Sequence, residues 1–168
     1  MANAKPPASQ RVTDAFRRLA ESSQNLEAAV NEWKPYISAL NGALRQLNIG
    51  IAAWHVIFAS GGDDSNPQWS TREIGYSKVK DEWCIALRRS WGNQNYPDFD
   101  EEETWRFEDA PRWLMVEAAA RIPDLIETLV QRTDRTAENV RKRSQETAEV
   151  AAALEPLLQE LSARGAGK

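Results

Sequence analysis

The chain has 168 residues, 42% of them hydrophobic and 27% charged, with a single cysteine and a formal net charge of −4. That is enough apolar material for one packed domain and too much for a disordered chain. The mild acidity argues against a general polyanion binder, and the lone thiol, Cys84, excludes an internal disulfide and fits a reducing, cytoplasmic compartment.

Residues 1–10, MANAKPPASQ, lack the apolar core of a signal peptide and read as a loose, disordered tail. From Val12 onward apolar residues recur in alternating steps of four and three, at Phe16, Leu19, Leu26, Val30, Trp33, Ile37, Leu40, Leu44, Leu47 and Ile51, with Ser23 the one polar interruption. This spacing predicts a first helical arm over 11–50, buried along one narrow stripe as in a coiled coil or a long bundle helix. Asn48 and Gly50 suit its C-terminal end. Pro35 predicts a kink or the first turn of a second helix, because proline removes a backbone donor and clashes one turn back.

Residues 51–108 predict a small antiparallel sheet module. Strands are expected at 51–59, 69–79 and 83–91, a short fourth at 104–107, and a loop at GGDDSNP, 61–67. Side-chain parity sets the register of the central hairpin. A two-residue turn at Lys80-Asp81 pairs Val79 with Glu82. It then places Tyr76 opposite Ile85 and Ile74 opposite Leu87 on a bulky apolar face. Gly75 meets Ala86, Ser77 meets Cys84 and Glu73 meets Arg88 on the other, smaller face. A one-residue slip would scatter both sets. Five of the seven tryptophans lie here: Trp54, Trp69, Trp83, Trp91 and Trp105. They read first as the large side of a small core, and second as walls of an exposed groove for a partner.

Residues 109–163 predict a second helical arm, with Asp109 as N-cap and Pro111 in the first turn. Its seam runs through Met115, Ala119, Ile122, Ile126, Leu129, Thr133, Thr136, Val140, Arg143, Thr147, Val150, Leu154, Leu157 and Leu161. Pro123 and Pro156 are the expected bends. The polar middle of the seam suggests a helix pair held at both ends. Residues 164–168 read as a second disordered tail. The stretch EDAPRWLMVEAAARIPDLIETL, 108–129, resembles the helix start of uncharacterised bacterial proteins, a resemblance that implies no activity.

No catalytic signature is present: no GxSxG, HExxH, P-loop or GxGxxG. His55 is the only histidine, which excludes a histidine metal cluster. Cys84 with His55 could make a nucleophile–base pair, but a cysteine facing small residues in a strand reads as a core thiol. The run DFDEEE, 98–103, has no EF-hand spacing and no internal glycine, so it reads as a solvated mobile loop rather than a Ca²⁺ or Mg²⁺ site. No cofactor and no metal are expected. Charge is uneven: residues 51–110 carry six basic and twelve acidic side chains. The basic cluster Arg132, Arg135, Arg141, Lys142 and Arg143 has no interleaved aromatic. It reads as a solvated helix face with Glu32, Glu138 and Glu146 within reach, so nucleic acid is not an expected partner. The most apolar stretch, 51–59, contains His55 and is too short to span a bilayer.

These readings combine into an α+β protein. Two long antiparallel helical arms form a coiled-coil-like hairpin with a three- or four-stranded antiparallel sheet at the tip. The expected function is non-catalytic assembly, an adaptor that binds a protein partner or a second copy of itself through the helical arms, the tryptophan-rich sheet tip, or both. The candidate interaction residues are Trp33, Tyr36, Val140 and Arg143 on the arms, and Trp69 and Trp91 on the sheet. The alternatives are a small-molecule or peptide-binding module with a tryptophan-lined groove, and an enzyme relying on carboxylates alone.

Overall fold

The computed structural model describes residues 7–63 and 65–165, with side chains through residue 156. The elements are α1 (Ala8–Gln46), β1 (Ala53–Asp63), β2 (Asn66–Val79), β3 (Glu82–Asn93), a 3-10 turn (Pro97–Phe99), β4 (Glu101–Arg106), a second 3-10 turn (Phe107–Asp109), α2 (Arg112–Ala119) and α3 (Ile122–Gly165). The architecture is mixed α+β, with one four-stranded antiparallel sheet in the order β1-β2-β3-β4.

α1 begins at Ala8, inside the expected tail, and runs past Pro35 without interruption. Residues 1–6 and 166–168, where the rest of the tails was expected, lie outside the described residues. The helix stops where the sequence suggested: Asn48 and Gly50 both take left-handed backbone, with φ of 47° and 62°, a conformation that asparagine and glycine accept most readily.

The central hairpin has the expected register throughout. Lys80 and Asp81 have φ of 51° and 67°, the signature of a two-residue type I′ turn. Val79 pairs with Glu82, Tyr76 with Ile85, Ile74 with Leu87 and Ser77 with Cys84.

Two expected loops are instead parts of strands. In GGDDSNP the chain stays extended until Asp63, which pairs with Asn66, so most of the expected loop is strand. Gly61 and Gly62, at φ of 71° and 81°, absorb the local register shift, and a Cβ on Gly61 would strike the Gln68 carbonyl. The Asp63 carboxylate closes the turn by accepting from Ser65 Oγ at 2.6 Å, Asn66 N at 2.8 Å and Ser65 N at 2.9 Å. The acidic run 98–103 is the other correction. Its front half forms the first 3-10 turn, and Glu101, Glu102 and Glu103 open β4, paired with Trp91, Ser90 and Arg89. An edge strand with both faces in water tolerates this density of charge, and Arg88 lies 3.6 Å from Glu102.

The second arm is two helices. Asp109 sits in the second 3-10 turn rather than capping a helix, and Pro111 takes the N-cap position, its carbonyl accepting from Leu114 N and Met115 N. The break falls after Ala119 for a local reason. Pro123 lacks the N–H that would bond the Ala119 carbonyl, and its ring crowds that carbonyl. In the first turn of α3 the same proline leaves nothing unpaired. Pro156, in contrast, lies inside a continuous α3.

The core forms on the bulky face of the hairpin. Ile74, Tyr76, Ile85 and Leu87 are covered by Leu114, Met115 and Ala118 of α2, by Leu125 and Leu129 of α3, and by Ile37 and Leu44 of α1. Trp83 stacks on Tyr76 with ring centroids 5.4 Å apart. The small face takes a different cover. The Trp54 ring lies directly on Gly75, where no Cβ would fit. The Arg88 guanidinium sits 4.2 Å above Trp54 and pairs with Glu73 at 2.7 Å.

Helix burial stops short of the helix lengths. On α1 the seam is buried at Val30, Ile37 and Leu44, whereas Val12, Phe16, Leu19 and Leu26 are 46–68% exposed. On α3 Leu129 is buried, and Val140, Val150 and Leu154 are 48–61% exposed. The expected hairpin of paired arms is not confirmed over these outer halves. The Leu157 and Leu161 side chains lie outside the described residues.

Candidate functional site

One cavity is built where α1 crosses the end of the sheet. β4 stops pairing with β3 at Arg106, opposite Ala86. The next strand residue inward, Ile85, donates its N–H instead to Asn41 Oδ1 of α1 at 2.7 Å. Asn41 is only 6% exposed, and a buried backbone donor left unpaired there would be costly. Lys34, Ser38, Asn41 and Arg45 recur on one face of α1 and form one wall of a cavity of about 410 Å³. Glu82, Cys84 and Arg106 from the strands, with Glu108 and Asp109 from the 3-10 turn, form the other. Arg106 donates to the Glu82 carboxylate at 2.6 Å, and that hydrogen bond holds the guanidinium still more firmly charged. Burial pushes the Cys84 thiol up, Arg106 opposes that rise, and Glu108 and Glu82 add to it, so the sulfur stays protonated and is a poor nucleophile.

The Cys84–His55 pair considered from the sequence does not form. Cys84 is opposite Ser77 on the small face, and His55 is opposite Ile74 on the core face. His55 is engaged with α3 instead. Its Nδ1 lies 3.3 Å from Thr128 Oγ1, and its Nε2 lies 3.7 Å from Asp124 Oδ2. The Thr128 hydroxyl also donates to the Asp124 carbonyl at 2.8 Å, which ties this contact to the first turns of α3.

At the opposite end the sheet runs past its helix cover. Arg72 marks the limit, its guanidinium 3.9 Å from the Phe58 ring, 5.6 Å from the Trp113 ring and 2.7 Å from the Glu117 carboxylate. Beyond it lies a shallow depression of about 470 Å³ lined by Trp69, Trp91, Arg89, Phe99 and Glu101, among others. The register places Trp69 opposite Gly92 and Trp91 opposite Ser70, so the two indoles start from opposite faces of the sheet. Arg89 lies 4.7 Å from the Trp91 ring. All five tryptophans of the sheet section are half-buried, neither sealed in the core nor free of it.

The helix candidates are divided too. Trp33 is half-buried against the core, Tyr36 is 73% exposed, Val140 is 61% exposed, and Arg143 is exposed on α3. The six candidates therefore do not make one patch: Trp69 and Trp91 line the depression on the sheet, and none of the four helix residues lines it. The cavity residues Ser38, Asn41 and Arg45 were missed by the sequence reading. Their one signal was a polar row at helical spacing beside the apolar seam.

Among the described residues no group of three or more His, Cys, Asp or Glu side chains converges as metal ligands would, and no helix is long and apolar enough to cross a membrane. No family model, no curated protein and no solved structure matches the chain.

Proposed function

We infer that this chain is a non-catalytic assembly protein of the cytoplasm. It binds another helix, from a second copy of itself or from a protein partner, through the outer halves of α1 and α3. The observation that carries this reading is the bare stripe of α1. Over residues 8–29 no side chain is buried, yet Val12, Phe16, Leu19 and Leu26 continue the same stripe that is buried from Val30 inward. Most helix stability in a protein comes from packing an apolar face against a neighbour, which this stretch lacks within the chain. Burying such side chains stabilises by about 1.5–3 kcal/mol each, so a covering helix has a strong driving force. In the assembled form the arms run antiparallel and share one coiled-coil-like seam, with Val140 and Arg143 of α3 at its polar middle.

Light scattering across a wide concentration range tests this. The parent should form a defined oligomer or recover a partner in a pull-down, and Phe16→Glu with Leu19→Glu should abolish either. Arg143→Leu should strengthen self-association if the seam is the contact, or abolish partner binding if Arg143 meets an acidic group. A parent that stays monomeric at high concentration, is unchanged by Arg143→Leu and recovers no partner would sink the assembly reading.

A second reading, a small-molecule or peptide-binding module, rests on the depression of about 470 Å³ beside Trp69 and Trp91. Quenching of tryptophan fluorescence by a peptide library, lost in Trp91→Ala, would favour it.

A further inference from the structure

We propose that the cavity beneath α1 binds a small zwitterion that carries both a carboxylate and an ammonium group, the free amino-acid class. Asn41 carries the argument. It is more than nine-tenths buried, and its Oδ1 is taken by Ile85 N–H. Among the described residues its Nδ2 donates to nothing, and no fully enclosed side-chain nitrogen or oxygen lacks a partner, so this amide group opens into the cavity it lines. Two donor hydrogens are thus held in place by a backbone bond that the sheet itself requires.

The charges around it are sorted by wall. Arg106 and Glu82 satisfy each other. On the α1 wall, Lys34 and Arg45 form no ion pair among the described residues. On the facing wall, Glu108 and Asp109 form none either. One side therefore offers an ammonium, a guanidinium, a hydroxyl and an amide, the set that receives a carboxylate. The other offers two carboxylates, the set that receives an ammonium. The two uncommitted pairs cancel, which disfavours a phosphate-rich anion and a bare cation alike, and suits a molecule with both charges. The volume, about 410 Å³, falls in the range of small-molecule sites. Cys84, kept as a thiol, supplies an apolar spot at the wall for a side chain.

Calorimetric titration and thermal melts of the full chain with each common L-amino acid test the proposal, with acetate and methylammonium as single-charge controls. At least one amino acid should bind and raise the melting temperature, while neither control does so at the same concentration. Arg45→Glu and Asp109→Asn, both on exposed side chains, should each weaken that binding by about tenfold or more, the loss expected for one charged hydrogen bond. Arg132→Glu, on α3 away from the cavity, should leave it unchanged. The proposal is overturned if no amino acid titrates, if acetate or methylammonium binds as well as the best amino acid, or if Arg45→Glu leaves the affinity intact.

Discussion

Two halves of one helix carry the same pattern and meet different surroundings. Between residues 30 and 44, α1 lays Val30, Ile37 and Leu44 into the core, beside Leu125 and Leu129 of α3. Between residues 12 and 26 the same stripe continues, and Phe16 and Leu19 stand 68% and 63% exposed. The four-three spacing states which face of a helix is to be covered; it does not state by what. The inner half found its cover within the chain because the sheet and the start of α3 are folded against it. For the outer half, the other long helix, α3, leaves its own Val140, Val150 and Leu154 exposed as well.

The comparison is sharpened first at the core, where the largest effect is expected. Leu87 is fully buried, and Leu87→Ala should cost about 2–5 kcal/mol in urea unfolding, the usual range for a core truncation. Ser77→Ala, on the small face of the same hairpin, should cost much less. Equal losses would refute the assignment of the two faces.

Gly75→Ala should come next, at about 1–3 kcal/mol, because the added methyl must displace the Trp54 ring that lies on the glycine. Trp54 fluorescence in the folded state should change with it. The paired substitution Gly75→Ala with Trp54→Leu should recover part of the loss; a loss left whole would break the account of how this face is covered.

A smaller effect is expected at alkaline pH. Burial raises the pKa of both Cys84 and Tyr76 above their ordinary values of 9.0 and 10.0. Each is neutral when protonated, so the unfolded chain releases its proton first. Stability should therefore hold below pH 9.0 and fall as the pH rises through 9.0 and then 10.0. Melting temperatures of the parent and of Cys84→Ala, recorded against pH, should diverge over that window, with the variant falling less steeply.

The smallest effect on monomer stability belongs to the outer stripe. Phe16→Ala and Leu19→Ala should shift unfolding of the dilute, unassociated chain by less than about 0.5 kcal/mol, as surface changes do. Their effect should appear in the concentration dependence of the mass instead. A core-sized loss in the dilute chain would mean that the outer half of α1 is packed after all.

The parts legible from sequence are those whose cause is local. The register of the central hairpin follows from two facts readable in one short stretch: a two-residue turn at Lys80-Asp81, and alternation that gathers Tyr76, Ile74, Ile85 and Leu87 on one face. The C-terminal stop of α1 is equally local, because Asn48 and Gly50 accept left-handed backbone. The seam stripes of the helices are local too, since they follow from helical period alone.

What failed needed a neighbour. Glu101, Glu102 and Glu103 read as a solvated loop because charge masks alternation; β3 alongside them makes them an edge strand. GGDDSNP reads as a loop because glycine usually marks one, yet its two positive-φ glycines serve a bulge inside a strand pair. The cavity beneath α1 was invisible for the same reason. Lys34, Ser38, Asn41 and Arg45 are an ordinary polar helix face until β4 ends at Arg106 and leaves Ile85 N–H for Asn41 to receive. The sequence by itself determined periods, turns and stops, which act over a few residues. Which face meets which, and where an unpaired backbone group must find its partner, was decided by the tertiary structure, because those terms depend on residues far apart in the chain.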